Sequence, residues 1–210
     1  MSERPRFRLT ERFEHAVGYA NRIHSNQTRK GTGIPYLTHL LGVASLVMEN
    51  GAESEEEVIG ALLHDAAEDQ GGRPRLEDIR EEFGEVVGHI VDACTDSYDD
   101  PKPPWRERKE AYVAHVRERV ERGGDEPALR VSLADKLHNT RAILADVRES
   151  GDAVFERFSG KREGTLWYYA ALVDAFRGFP NRMVGELERA VADLGRLGGS
   201  PVAGRRPQWE

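Results

Sequence analysis

Apolar residues recur every three or four positions from Phe13 to Leu194, and no stretch alternates apolar with polar residues over the length of a strand. That spacing gathers the apolar side chains on one stripe of a helix, so a chain that repeats it throughout must pack helix on helix. Phe13, Ala16, Val17, Ala20 and Ile23 form the first stripe, behind Thr10 as its N-cap. Leu40, Leu41, Val43, Ala44 and Val47 form the second, closed by Asn50-Gly51. Ser54-Glu-Glu-Glu57 has the spacing of a capping box and opens a third helix, running through Val58, Ile59, Leu62, Leu63 and Ala66 to a stop at Gly71-Gly72. Leu76, Ile79 and Phe83 mark a short amphipathic piece, and Val86, Val87, Ile90, Val91 and Cys94 another. The prolines at 101, 103 and 104 make residues 99–104 a loop. Helical spacing resumes from Trp105 to Val120, ending at Gly123-Gly124. Asp125 and Pro127 then announce a long central helix from Leu129 to Val147, and Leu166–Phe176 and Met183–Leu194 supply the last two. The expected fold is an all-α helical bundle, one domain over residues 1–197. Residues 198–210, rich in Gly and Pro and poor in apolar periodicity, are expected to be a flexible tail.

Composition narrows the function classes. With 39% hydrophobic residues in 210, the chain can bury one sizeable core. Its 30 Lys and Arg against 37 Asp and Glu leave a net charge of −7, a poor start for gripping nucleic acid through its phosphates. A polyphosphate ligand would need a local basic cluster or a metal. The lone Cys94 excludes an internal disulfide framework and a Cys-rich zinc site. The most apolar stretch, Leu40 to Met48, is too short to span a bilayer, and no hydrophobic leader opens the sequence. A cytoplasmic protein with no membrane or nucleic-acid partner is expected.

Three segments carry residues able to do chemistry. In Leu62-Leu-His-Asp-Ala-Ala-Glu-Asp69, helical spacing sets His64 with Glu68 on one face and Asp65 with Asp69 on the next. Burying four such groups in an apolar helix costs several kcal/mol each unless a metal or counter-charges compensate. The alternative is a helix end with solvated acids before Gly71. Leu133-Ala-Asp-Lys-Leu-His-Asn-Thr-Arg141 embeds Asp135 in an apolar run with Asn139 one turn on, and His138 beside that face reads as a structural histidine. Arg29-Lys-Gly-Thr-Gly-Ile-Pro-Tyr-Leu-Thr-His39 places two cations before a Gly-rich turn and a histidine at a helix start, an arrangement that suits phosphate or a plain basic loop. Taken together, two imidazoles (His39, His64) and two carboxylates (Asp65, Asp135) make a mixed N/O set suited to a divalent ion such as Mn²⁺. Glu68 and Asp69, one turn away, are placed to orient or deprotonate water. The chemistry such a set implies is metal-assisted hydrolysis of a phosphate or pyrophosphate ester. His15, His24, His89 and His115 read as surface or helix-packing residues, Trp167-Tyr-Tyr169 as core aromatics, and Arg4, Arg6, Arg8 and Arg12 as a solvated basic patch.

At these segments the sequence resembles the HD-domain phosphohydrolases, and within them the hydrolase domain of the RelA/SpoT family and the stand-alone small alarmone hydrolases. The matching elements are Arg-Lys-x-Gly-x-Pro-Tyr-x-x-His at Arg29 to His39, Leu-His-Asp-x-x-Glu-Asp at Leu63 to Asp69, and Leu-Ala-Asp-Lys-Leu-His-Asn-x-Arg at Leu133 to Arg141. The resemblance implies an HD-domain bundle with a Mn²⁺-dependent pyrophosphohydrolase activity that removes the 3′-diphosphate of (p)ppGpp. It implies His39, His64, Asp65 and Asp135 as metal ligands, Glu68 and Asp69 as the catalytic acidic pair, and Arg29, Lys30 and Asn139 as nucleotide-binding residues. Gln70 and Ala142 stand where the family usually carries Thr. The HD-GYP signature of cyclic-dinucleotide hydrolases is absent. The rival functions are an HD-type nucleotidase, an NADPH phosphatase, and a non-catalytic nucleotide-binding HD module.

Overall fold

The computed structural model describes residues 6–99 and 101–197, so Arg4 and the tail expected at 198–210 lie outside the described residues. The chain runs through α1 (Glu11–Ile23), α2 (Leu37–Glu49), α3 (Glu55–Leu63), α4 (Ala66–Asp69), α5 (Gly72–Phe83), α6 (Glu85–Cys94), α7 (Trp105–Arg122) and α8 (Glu126–Ser150). A 3-10 helix (Gly151–Arg157), α9 (Lys161–Phe176) and α10 (Arg182–Leu197) complete it. The all-α expectation holds. Among the described residues the only β pairing is one isolated antiparallel bridge, Thr28 to Pro35. No helix among them is long and apolar enough to cross a membrane.

Local chemistry sets most of the boundaries. Thr10 Oγ1 accepts from Arg12 N and starts α1, as its sequence position predicts. Ser54 caps α3 by accepting from Glu57 N, but the reciprocal half of the capping box does not form. Glu57 instead accepts from Glu53 N at 3.2 Å and pairs with Arg130 of α8, a buried ion pair joining two helices that frame the site. Asp125 precedes α8 without capping it, because its carboxylate is taken by His89 and Arg119. The 3-10 turn after α8 has no apolar stripe of its own and was not legible in the sequence.

α3 is buried on every side from Val58 to Leu63, as an apolar-all-round helix must be. It is packed between α2, α6 and α8, while α8 also carries α10 and leads into the 3-10 helix. One expectation needs correcting. The third helix does not run unbroken to Ala66: it stops at Leu63, and His64 and Asp65 form a turn before the single-turn α4. The polar dipeptide sits at the one point where an apolar helix has ended, which frees its side chains to converge on α2 and α8.

Candidate metal centre and substrate cleft

The three segments singled out in the sequence meet at one place. His39, in the first turn of α2, is fully buried. His64, just past the end of α3, and Asp135, mid-way along α8, are 1% and 4% exposed. His39, His64 and Asp65 offer ligand atoms that all lie within 4.8 Å of one another. Asp135 Oδ1 lies 3.2 Å from His39 Nε2 and 3.6 Å from His64 Nε2. Asp65 Oδ2 lies 3.5 Å from His39 Nε2 and 3.0 Å from His64 Nε2. Despite these short distances neither Nε2 has a partner with hydrogen-bond geometry.

Each imidazole is held from its other nitrogen. His64 Nδ1 donates to the Ala61 carbonyl at 2.8 Å, which turns its Nε2 toward the two carboxylates. His39 Nδ1 faces His138 Nδ1 at 2.9 Å. Burial, together with His39 and Arg29 nearby, pulls the His138 pKa down to about 4, so His138 is neutral and one of the two facing Nδ1 atoms donates to the other. Its ring reaches His39 because α2 carries Gly42 at the crossing: a Cβ there would sit 2.3 Å from His138 Nε2. Two buried nitrogens without hydrogen-bond partners facing two carboxylates form a site that could hold a cation, and a mixed imidazole and carboxylate set fits a divalent metal. Burial opposes charge on Asp65 and Asp135, but His64 and His39 beside both, with Lys136 beside Asp135, hold both carboxylates well below their usual range.

The carboxylates are oriented in turn. Tyr36 Oη donates to Asp65 Oδ2 at 2.6 Å, and burial with Asp65 alongside keeps that phenol protonated. Lys136 Nζ donates to Asp135 Oδ2 at 2.6 Å, and Asn139 Nδ2 donates to its Oδ1 at 2.5 Å. Arg29 Nη2 donates to Asn139 Oδ1 at 2.6 Å, which ties the basic loop to α8. Such outer contacts fix ligand geometry, and losing one typically costs about ten- to a hundredfold in metal affinity.

Glu68 and Asp69 leave α4 toward the open side. Glu68 accepts from Lys102 Nζ at 2.8 Å and from Asp96 N at 3.3 Å. Asp69 accepts from Gln27 Nε2 at 2.7 Å. Gln27 Oε1 is itself fixed by His24 Nδ1 at 2.6 Å and Gln70 Nε2 at 2.5 Å, which gives Gln70 a defined place here. Desolvation raises both carboxyl pKa values; Asp96 and then Asp65 add to the shift at Glu68, and Asp65 adds to it at Asp69.

Beside this cluster opens a cleft of about 570 Å³. Arg29, Lys30 and Asn139 all line it, as do Asp69, Tyr36 and His138, with Ile143, Phe158 and Tyr169 as an apolar wall. The aromatic run of α9 therefore divides: Trp167 packs against Trp105, Tyr168 is buried, and Tyr169 faces the cleft. Sequence reasoning singled out neither Tyr36, Gln27, Lys102 nor Asp96 as site residues. Gln27 and Lys102 lie in loops whose course only the packed helices decide, and no spacing marks them.

A buried His-Asp pair after an apolar helix, answered by a histidine and an aspartate from two other helices, is the arrangement of an HD domain. The chain belongs to the HD domain family, whose sequence profile matches residues 16–166. Among curated proteins it is 32% identical over 183 residues to the guanosine-3′,5′-bis(diphosphate) 3′-pyrophosphohydrolase MESH1 of Xenopus tropicalis, covering 86% of this chain and 93% of that one. It is 36% identical over 176 residues to a GTP pyrophosphokinase of Streptomyces antibioticus, covering 83% of this chain and 19% of that protein, so it spans about a fifth of that relative's length. A solved structure of a metazoan SpoT ortholog, described as hydrolysing ppGpp, superposes with a TM-score of 0.68 at 26% identity, covering 90% of this chain and 96% of the other.

Proposed function

We propose that this chain is a Mn²⁺-dependent pyrophosphohydrolase that cleaves the 3′-diphosphate from (p)ppGpp, releasing pyrophosphate and leaving the ribose 3′-hydroxyl. The observation that carries the reading is the pair of buried, unpartnered Nε2 atoms of His39 and His64, facing Asp65 and Asp135 at the edge of a cleft lined with cations. The extent of the similarity supports the hydrolytic side: the chain spans nearly all of a relative named as a 3′-pyrophosphohydrolase and about a fifth of one named as a pyrophosphokinase.

In this reading His39, His64, Asp65 and Asp135 hold the ion. A bound divalent ion supplies Lewis acidity toward phosphate oxygens and makes water a stronger acid. The chain's own residues do the rest. Arg29 and Lys30 offset the phosphate charge at the cleft, where the protein as a whole is acidic. Ile143, Phe158 and Tyr169 give an apolar surface for the flat face of a base. Glu68 and Asp69, their carboxyl pKa values raised by desolvation, accept the proton of the attacking water and return one to the departing 3′ oxygen. Gln27 holds Asp69 at the cleft, and Lys102 holds Glu68 one residue before it.

The test is product analysis on purified protein with ppGpp, 5′-GMP and NADPH, each with Mn²⁺, Mg²⁺ or EDTA. Release of GDP and pyrophosphate from ppGpp with Mn²⁺ alone is expected. Inorganic phosphate from 5′-GMP or from NADPH, with ppGpp untouched, would replace this reading by a nucleotidase or an NADPH phosphatase. Binding without turnover of any of them would make the chain a non-catalytic nucleotide-binding module.

A further inference from the structure

The face of α8 that carries Asp135 continues along the cleft. Asn139, Ala142 and Asp146 follow it at helical spacing, and all three line the cavity. Asp146 is the unexpected member. Apart from Asp69 beside the metal centre, it is the only carboxylate among the described residues lining a cleft whose proposed ligand is a polyanion. A carboxylate near the phosphates would repel them, so its place matters. It stands three turns along α8 from Asp135, about 16 Å of helix rise away from the proposed metal ligands.

Asp146 also has an ion-pair partner at the cleft. Its Oδ2 accepts from Arg157 Nη1 at 2.6 Å. The Arg157 side chain is pinned across Gly31, where a Cβ would come within 2.5 Å of its Cδ. Oδ1 has no hydrogen-bond partner among the described residues, and each carboxylate oxygen has lone pairs to spare. A charged acceptor pair, fixed at the end of a cleft with the apolar Ile143 and Phe158 beside it, complements two adjacent N–H donors on a flat ring.

We infer that Asp146 reads the base of the nucleotide, accepting from the N1–H and N2–H₂ edge of guanine; this rests on the nucleotide reading of the same cleft proposed above. Hypoxanthine keeps the first of these donors and lacks the second. Adenine presents an acceptor at N1, which faces the carboxylate unfavourably. Ala142, one turn before Asp146, lines the same cleft without a polar group of its own.

The experiment compares guanosine, inosine and adenosine 3′,5′-bis(diphosphates) by calorimetric binding. The Mn²⁺-loaded protein carries Glu68→Gln and Asp69→Asn to block turnover, with Asp146 intact, Asp146→Asn or Asp146→Ala. With Asp146 intact, guanosine should bind at least about tenfold tighter than adenosine, with inosine between them, because a charged acceptor is left unpaired by the wrong base. In both Asp146 variants the three affinities should fall within about twofold of each other. A uniform loss for all three nucleotides would mean that Asp146 only seats Arg157, and would overturn the assignment, as would the absence of any base preference with Asp146 intact. Turnover by the wild type is measured separately. A base preference that depends on Asp146, in a protein that cleaves none of the three, would refute the hydrolase reading and leave the base-reading role standing.

Discussion

Replacing Gly42 by alanine is expected to weaken metal binding although it touches no ligand. Gly42 lies inside α2, where Gly→Ala ordinarily stabilises a helix by about 0.5–1 kcal/mol. Here the new Cβ would fall 2.3 Å from His138 Nε2 and 2.5 Å from its Cδ2. The ring cannot simply rotate aside, because its Nδ1 is the partner of His39 Nδ1 at 2.9 Å. Overpacking of this kind costs about 1–3 kcal/mol, which outweighs the gain in propensity and leaves a net loss of about 1 kcal/mol. For a domain of this size that is a fall in Tm of roughly 2–4 °C. Turning His39 out of register should lower Mn²⁺ affinity by about ten- to a hundredfold, the usual effect of losing a ligand's orienting partner. Calorimetric titration of Mn²⁺ and a melting curve on the metal-free protein read the two effects separately. The double variant Gly42→Ala/His138→Ala makes the reasoning strict: with the ring gone the methyl group has nothing to displace, so the two substitutions must be strongly non-additive. A Gly42→Ala protein that melts higher than wild type and binds Mn²⁺ unchanged would refute the argument.

His64→Ala and Asp135→Ala should each remove bound metal and activity together, since each deletes one donor of a four-member set; elemental analysis showing full Mn²⁺ occupancy in both would sink the ligand assignment. Glu68→Gln combined with Asp69→Asn should leave Mn²⁺ bound while turnover falls by about a hundredfold or more, and near-normal turnover would return both residues to plain helix-end acids. Asp96 supplies a pH test of the loop behind Glu68. Burial alone would raise its pKa, but Lys109 and Arg108 pull it down to about 2, below the unfolded value of about 3.9. Its contribution is therefore complete above about pH 4 and lost as the pH falls through about 2, so the stability gap between wild type and Asp96→Asn should narrow only in that window. Denaturation curves that keep the same gap down to about pH 2 would refute it.

How far the sequence reached can be judged residue by residue. Helical periodicity located the helices because apolar spacing records which face is buried, and Thr10 and Ser54 placed their N-termini because capping is local chemistry. The cluster of His39, His64, Asp65 and Asp135 was legible because burying such groups together has few explanations. The break after Leu63 was not, since His64 and Asp65 keep right-handed helical dihedrals and nothing nearby in sequence forbids the helix from continuing. Glu57 satisfied the capping-box pattern yet answers to Arg130, seventy-three positions away, because a buried charge outranks a helix-end amide. His138 was read as structural; its bond to His39 makes it the part that aims a proposed ligand, and that follows only from the crossing of α2 and α8 at Gly42. Tyr36 and Gln27 likewise reach Asp65 and Asp69 through tertiary contacts, across 29 and 42 positions of the chain.

The proposed centre draws His39 from α2 and Asp135 from α8, nearly a hundred residues apart along the chain. In kinetic terms it is a high-contact-order feature, whose loop-closure entropy must be met before any ligand geometry exists. Before α8 docks, an ion would find only the three donors that α2 and the His64-Asp65 turn bring together, and it would lack the Asp135 carboxylate. With Asp135 in place the same ion acts as a clamp, slowing the separation of α8 from α2 and α3 once they have met. The prediction contained in that order of events is that Mn²⁺ lengthens the lifetime of the native state far more than it hastens its formation.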